Sequence, residues 1–279
     1  MPFEKCEFSR NDIRKQIVVP KFISVELAEL VGILIGDGHV AIEREKSNKA
    51  VGYRVGVSAN ADTDSEYIFG HVLPLFKKLF NAKPYVRRRR GRELEIMFSS
   101  KVMTTYFINT FQIPNNKSNV DVPDVIKLSN EEHVIAFLRG LFDTDGSLSI
   151  KKKYRNSAYY PVINFSTKSP NLFESVKTIL KTRGFVFSAN ARNKPDKRNG
   201  KVYRFYQLDI SGELSFQKWI EEIGFNNPKN LEKIKLVGRK RFELSTSTLS
   251  AWRANQVAPP ALEQNSPEHF KKVDAPDEI

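Results

Sequence analysis

Cysteine is almost absent from this 279-residue chain. Cys6 stands alone, so no internal disulfide can form and a Cys-rich zinc site is excluded. Long apolar runs are missing as well, and none approaches membrane-spanning length. The opening MPFEKCEFSRNDIRK is charged throughout and lacks the apolar centre of a secretion signal. Acid is in short supply: 32 Asp and Glu face 45 Lys and Arg, a net charge of +13. A surplus of that size fits nucleic acid far better than an acidic small molecule. The expectation is a soluble, intracellular, basic protein, with residues enough for one large domain or two modest ones.

What is present is a doubled pattern. Leu30-Val31-Gly32-Ile33-Leu34-Ile35-Gly36-Asp37-Gly38 and Leu138-Arg139-Gly140-Leu141-Phe142-Asp143-Thr144-Asp145-Gly146 are both apolar stretches with a small third residue, closing on Asp-Gly. The C-terminal end of a helix already carries partial negative charge, so an Asp there is a poor structural choice. Making it twice in register points to two carboxylates wanted together, and in a basic protein to metal-assisted cutting of a polyanion.

The repeat continues beyond the motif. Ser58 and Ser166 each stand 21 residues past the Asp, closing the strand-like alternations Tyr53–Ser58 and Pro161–Ser166. Amphipathic stretches Glu66–Phe80 and Leu172–Thr182 follow, then basic strands ending at Ser99 and Ser211. Fourteen residues on come Ile113 and Phe225, and four more reach Lys117 and Lys229. Each half therefore reads as helix, two strands, helix, two strands, helix. The first helices begin after Ser24 and after Ser129 or Asn130, and Gly38 and Gly146 are expected just past their ends. Gly32 with Gly36, and Gly140 with Thr144, share a helical face and would let the two helices approach closely. That packing would set Asp37 beside Asp145.

Basic runs recur at matching places. Arg87, Arg88, Arg89, Arg90 and Arg92 crowd one strand pair; Arg192, Lys194, Lys197, Arg198, Lys201 and Arg204 form the counterpart. Lys151, Lys152, Lys153 and Arg155 follow the second motif, where Glu43–Lys49 follows the first. Arginine and asparagine can read base edges in the major groove, and lysine more often neutralises phosphate. The expected segments are an N-terminal extension over 1–22, repeats over 23–120 and 131–238 joined by a linker at 121–130, and a loosely ordered tail over 239–279. The extension packs on the first half or adds a DNA contact.

On these residues the chain resembles the LAGLIDADG homing endonucleases of the single-chain, two-repeat type, from about Leu27 to Leu236. The first copy keeps the initial Leu, the Gly at position three and the closing Asp-Gly. The second also keeps Asp143 at position six, which is Ile35 in the first. The resemblance implies an α+β fold of two pseudo-symmetric αββαββα halves, packed through paired motif helices, with antiparallel sheets forming a saddle over the DNA major groove. It implies a monomer that binds a long asymmetric double-stranded target and cuts both strands with 3′ overhangs. The cofactor implied is Mg²⁺, with Mn²⁺ substituting and Ca²⁺ binding without supporting cleavage. Asp37 and Asp145 would hold it, aided by the carbonyls of Gly36 and Thr144. Lys117 and Lys229 are the candidate lysines near the metal-bound water, with Lys233 an alternative in the second half. By helical direction Asp143 faces away from Asp145 and stays outside the catalytic pair. The chain opens on Met1 and closes on Asp277-Glu278-Ile279 without a terminal His-Asn, so a freestanding, intron-encoded protein is expected rather than an intein fragment.

Two rival readings share the fold: an RNA maturase assisting an intron, which keeps the basic surface without needing both acids, and a cleavage-inactive DNA-binding regulator, in which an acid is typically replaced. A generic basic RNA-binding protein would leave the duplicated Asp-Gly helices unexplained.

Overall fold

The computed structural model describes residues 6–88, 91–152, 159–195 and 200–241. A short helix α1 (Arg10–Arg14) is followed by α2 (Val25–Ile35), whose start is fixed by the Ser24 side chain accepting the Leu27 N–H. Strands β1 (Gly38–Arg44) and β2 (Ala50–Asn60) come next. Helix α3 (Ser65–Tyr67) runs through a π turn at Ile68–Val72 into α4 (Leu73–Phe80). Strands β3 (Tyr85–Arg88) and β4 (Glu93–Ser99) and helix α5 (Lys101–Phe111) complete the first half. A 3₁₀ turn at Lys117–Asn119 and helix α6 (Asp124–Lys127) lead into the second. It repeats the order: α7 (Glu131–Thr144), β5 (Gly146–Lys152), β6 (Tyr159–Thr167), α8 (Pro170–Thr182), β7 (Phe187–Pro195), β8 (Val202–Ser211) and α9 (Glu213–Glu222), then α10 (Pro228–Arg241).

The two sheets share one topology, β1-β2-β4-β3 and β5-β6-β8-β7, antiparallel throughout. In each, alternate residues bury one face. Val40, Val55 and Phe98 align across the first sheet; Leu148, Ile163 and Ile210 align across the second. Strand alternation sends the residues between them to the opposite face.

The centre is the α2–α7 pair. Every residue of α2 from Leu27 to Ile35 is buried, as expected of a helix that is apolar almost all round. A Cβ on Gly32 would lie 2.2 Å from the Phe137 carbonyl oxygen, and one on Gly140 would lie 2.2 Å from the Glu29 carbonyl oxygen. One on Gly36 would meet Thr144 Oγ1 at 2.0 Å. The backbones themselves touch.

One expectation changes in detail. Gly38 and Gly146 do not stop the helices in a left-handed conformation: Gly36 and Asp145 are the C-caps, and each glycine opens a strand. They are glycine because the strand turns back against the helix it has just left. A Cβ on Gly38 would sit 2.5 Å from Leu34 Cα, and one on Gly146 would sit 2.5 Å from the Phe142 oxygen. The linker at 121–130 holds α6, with Val122 and Ile126 buried. Of the expected extension, residues 6–22 pack on the first half: Ile17 is buried, Val18 N–H donates to the Phe80 carbonyl at 3.1 Å, and Asp12 accepts the Val102 N–H. The expected tail beyond Arg241 lies outside the described residues.

Gly140→Ala is expected to lose about 1–3 kcal/mol of stability, because the clash is with backbone that cannot swing aside. Gly70→Ala, exposed and with nothing within 4 Å of its Cβ, should be neutral or slightly stabilising. Denaturant unfolding of the two variants checks this; equal losses would show that the glycines do not set the helix contact.

Candidate functional site at the ends of the paired helices

Asp37 and Asp145 leave α2 and α7 at the same end of the pair. The Asp145 N–H closes the last turn of α7 on the Leu141 carbonyl at 2.9 Å, and the Asp37 carbonyl accepts the Ser58 N–H at 3.1 Å, tying the acid to β2. The Asp145 carboxyl is pushed up to about 7, first by burial and then by the charge of Asp37, against the pull of Lys117. Asp37 remains open to solvent, yet crowding around its carboxyl still lifts it above the usual range; Lys229 and Lys117 pull it back and Asp64 pushes it up. The two acids therefore share one electrostatic environment.

Lys117 Nζ donates to the Gly36 carbonyl oxygen at 2.6 Å, a helix-terminal group without an intrahelical partner. Burial lowers its ammonium to about 8 in spite of Asp145 and Asp37. Lys229 Nζ donates to Asp64 Oδ1 at 2.7 Å. Lys233 sits near enough to Lys229 for that charge, with burial, to lower it. Thr144 Oγ1 donates back to the Gly140 and Leu141 carbonyls.

Asp143 lies elsewhere. It is fully buried and its carboxylate accepts the N–H groups of Asn226 at 2.7 Å and Asn227 at 3.1 Å, shaping the turn before α10. Beside it is a second polar cluster. Glu29 Oε1, inside α2, pairs with His71 Nε2 at 2.6 Å and accepts from Asn226 Nδ2 at 2.6 Å, with the Arg139 guanidinium at 3.8 Å from Oε2. Burial alone would raise Glu29; His71, Arg139 and Asn226 outweigh it and hold the carboxyl below its usual value. Burial alone would lower His71, and Glu29 outweighs it upward. Sequence reasoning missed Glu29, His71 and Asp64. Glu29 alone carried a signal, as an acid inside an otherwise apolar helix.

The basic strands divide by register. Arg87 aligns with Glu95, on the outward face that also carries Arg54; Arg88 aligns with the buried Leu94 and so belongs to the other side. Arg192 aligns with Phe205 on the outward face of the second sheet, with Asn190 and Gln207 as same-face neighbours and Lys151 across β6. Arg204 shares the parity of Leu208 and Ile210, and its guanidinium lies 5.5 Å from the Tyr206 ring centroid, on the helix-covered side. Strand alternation thus sets Arg88 and Arg204, both candidate DNA contacts and both exposed, on the opposite face from Arg87 and Arg192. Arg92 is exposed and pairs with Asp62 at 2.9 Å, and Lys201 is exposed just before β8. Arg89, Arg90, Lys153, Arg155, Lys197 and Arg198 lie outside the described residues, as do the side chains of Lys152 and Lys194.

Among the described residues no three His, Cys, Asp or Glu groups gather into a metal cage, and no helix is long and apolar enough to cross a membrane. A pair of crowded carboxylates with a helix-end carbonyl is still a fitting donor set for a hard divalent cation, which commonly takes one or two carboxylates and completes its shell with water and phosphate.

The fold of the described residues is that of the two-domain LAGLIDADG homing endonucleases. The family profile described as a LAGLIDADG-like domain matches residues 132–224. Among solved structures, I-DmoI in complex with DNA and Ca is similar with a TM-score of 0.53 at 22% identity, over 76% of this chain and 97% of that one. A double variant of I-DmoI with nicked target DNA and Mn gives 0.51 at 23%, over 72% and 94%. A point mutant of I-SmaMI gives 0.50 at 11%, over 83% and 97%. Curated relatives include a replication factor C small subunit of Methanocaldococcus jannaschii, 32% identical over 241 residues, and a DNA polymerase of Thermococcus hydrothermalis, 27% over 203. These matches take in 83% and 73% of this chain but only 11% of either relative. None of these likenesses supports an RNA partner.

The Glu29–His71 pair sets a pH dependence. A raised His71 contributes stability fully present below its ordinary value near 6.5, lost as pH rises through the raised one. The lowered Glu29 contributes above its ordinary 4.5, lost as pH falls. The stability deficit of His71→Gln against the parent is therefore expected to be larger at pH 6 than at pH 9, as measured by denaturant unfolding. A deficit independent of pH would mean the pair is not ionised in the fold.

Proposed function

We propose that the chain is a site-specific, divalent-metal-dependent endonuclease that cuts both strands of a long asymmetric DNA target. The observation carrying this reading is the meeting of Asp37 and Asp145, where the charge of one acid helps hold the other's carboxyl up to about 7. Two like charges at the negative ends of two helices are a standing electrostatic cost that a dication would remove. Asp37 and Asp145 would hold Mg²⁺, or Mn²⁺ in its place, with the carbonyls of Gly36 and Thr144 as further oxygen donors. When bound, such an ion supplies charge neutralisation at phosphorus and an activated water.

The remaining work falls to the chain. Lys117 and Lys229 bring positive charge beside the acids, where negative charge develops as a phosphodiester is attacked. Arg54, Arg87, Lys151 and Arg192 project from the outward sheet faces to meet phosphate and guanine edges. Asn190 and Gln207 supply the donor–acceptor pairs suited to adenine. The net charge of +13 adds the nonspecific, salt-sensitive part of binding.

The test is cleavage selection on a randomised double-stranded DNA library with Mg²⁺, followed by sequencing of the cut ends. One long asymmetric site with 3′ overhangs is expected. On that site Asp37→Asn and Asp145→Asn should each lower double-strand cleavage at least about 100-fold, with DNA affinity within roughly threefold of the parent. Absence of cutting with Mg²⁺ or Mn²⁺, alongside salt-sensitive DNA binding, would move the regulator reading to the front.

A further inference from the structure

Each half sets the N-cap residue of its middle helix against the lysine-bearing segment of the other half, and the two caps differ. In the second half the cap is Ser169. Its hydroxyl accepts the Leu172 N–H of its own helix at 3.3 Å and donates to the carbonyl of Val120, three residues past Lys117. In the first half the cap is Asp64, and its side chain makes no capping bond to its own helix. A cap aspartate ordinarily accepts from the first-turn N–H groups. Here Oδ1 accepts from Lys229 Nζ at 2.7 Å and from Asn227 Nδ2 at 3.2 Å, while Oδ2 accepts from the Thr63 hydroxyl at 2.9 Å.

The pair is not a surface ornament. The Asp64 side chain is 13% exposed and that of Lys229 29%. Its surroundings are fixed from the second half as well: Asn227 Nδ2 donates to the Asp143 carbonyl at 3.1 Å, and Asn227 Oδ1 accepts the Lys229 N–H at 3.2 Å. Lys117 is held differently, by the Gly36 carbonyl oxygen.

We propose that Asp64 is a positioning residue for Lys229, lent by the opposite repeat, so that one of the two strand-cutting centres is braced by an ion pair that the other does not use. The role rests on the endonuclease reading above. A lysine on a flexible four-carbon stem, within reach of the Asp37 charge, has an alternative partner in Asp37 itself. Asp64 draws the ammonium away from that collapse. Asp37 stays available to a cation, and Lys229 stays poised beside it.

The experiment measures single-turnover nicking of each strand separately, with Mg²⁺, on the duplex recovered by the selection described above. Asp64→Asn, and Asp64→Ser, which copies the cap of the other half, should slow one strand about tenfold or more. The other strand should stay within roughly threefold, with DNA affinity and melting temperature unchanged. In a Lys229→Met background, Asp64→Asn should add less than about threefold, since the group it positions is gone. Equal slowing of both strands, or full additivity with Lys229→Met, overturns the proposal, as do Asp64 variants that cut both strands at the parental rate. A parent protein that cuts no DNA overturns the endonuclease reading and this role together, which separates the two failures.

Discussion

Everything at the site depends on one contact: the backbones of α2 and α7 meeting without side chains between them. Gly32 lies against the carbonyl of Phe137 and Gly140 against that of Glu29, so each helix is seated on the peptide groups of the other. The contact fixes the rotation of both helices, because only one face of each carries the small residues. It fixes their axial offset too, because each glycine has its own partner. Once those two quantities are set, the positions of Asp37 and Asp145 follow. A larger residue would part the helices and separate the acids, so the geometry of the acid pair and the packing of the core are a single constraint.

That constraint brings a charge problem, and the surrounding residues answer it in two layers. At the open end, Lys117 and Lys229 sit beside the two acids and offset part of their repulsion. Deeper in the interface, Glu29 and Asp143 are buried outright, and each is matched differently. Glu29 has a histidine and an arginine, whereas Asp143 has only backbone N–H groups and a distant histidine charge, which leaves its carboxyl at about 7. Buried acids of this kind add little net stability, since desolvation offsets the pairing. Their use is geometric: Asp143 holds the turn at 226–227, and Glu29 joins α2 to the π turn and to the second half through Asn226.

The sequence made the doubling and the fold legible because both are periodic. Apolar alternation, small residues four apart and equal offsets from each Asp to its serine all reflect local rules that operate on neighbouring residues. The αββαββα order and the joining of motif helices followed from them. Less legible were features that depend on the reverse path of the chain. Gly38 and Gly146 look like helix stops in sequence, and only the returning strand shows why no side chain fits. Arg88 and Arg204 look like members of basic runs, and only the pairing partner reveals which face each takes. Asp64 falls outside every repeat landmark, since its partner is 165 residues away in sequence.

The duplication is therefore faithful in topology and relaxed in polar detail, and the relaxation is ordered. Position six of the motif is Ile35 in one copy, part of the core, and Asp143 in the other, where it shapes the segment carrying Lys229. The cap of the middle helix is Asp64 in one copy and Ser169 in the other, and again the acid serves the Lys229 side. Both substitutions converge on one lysine. The Lys117 segment runs straight into the connection between halves, where Ser169 and the buried Val122 and Ile126 already fix it. The Lys229 segment follows α9 and is held by side chains instead: Asp143 of its own half, and Glu29 and Asp64 of the other. A chain that holds both repeats can distribute its polar residues unequally in this way, whereas two identical chains could not, and an asymmetric target is the kind of substrate for which unequal halves are an advantage.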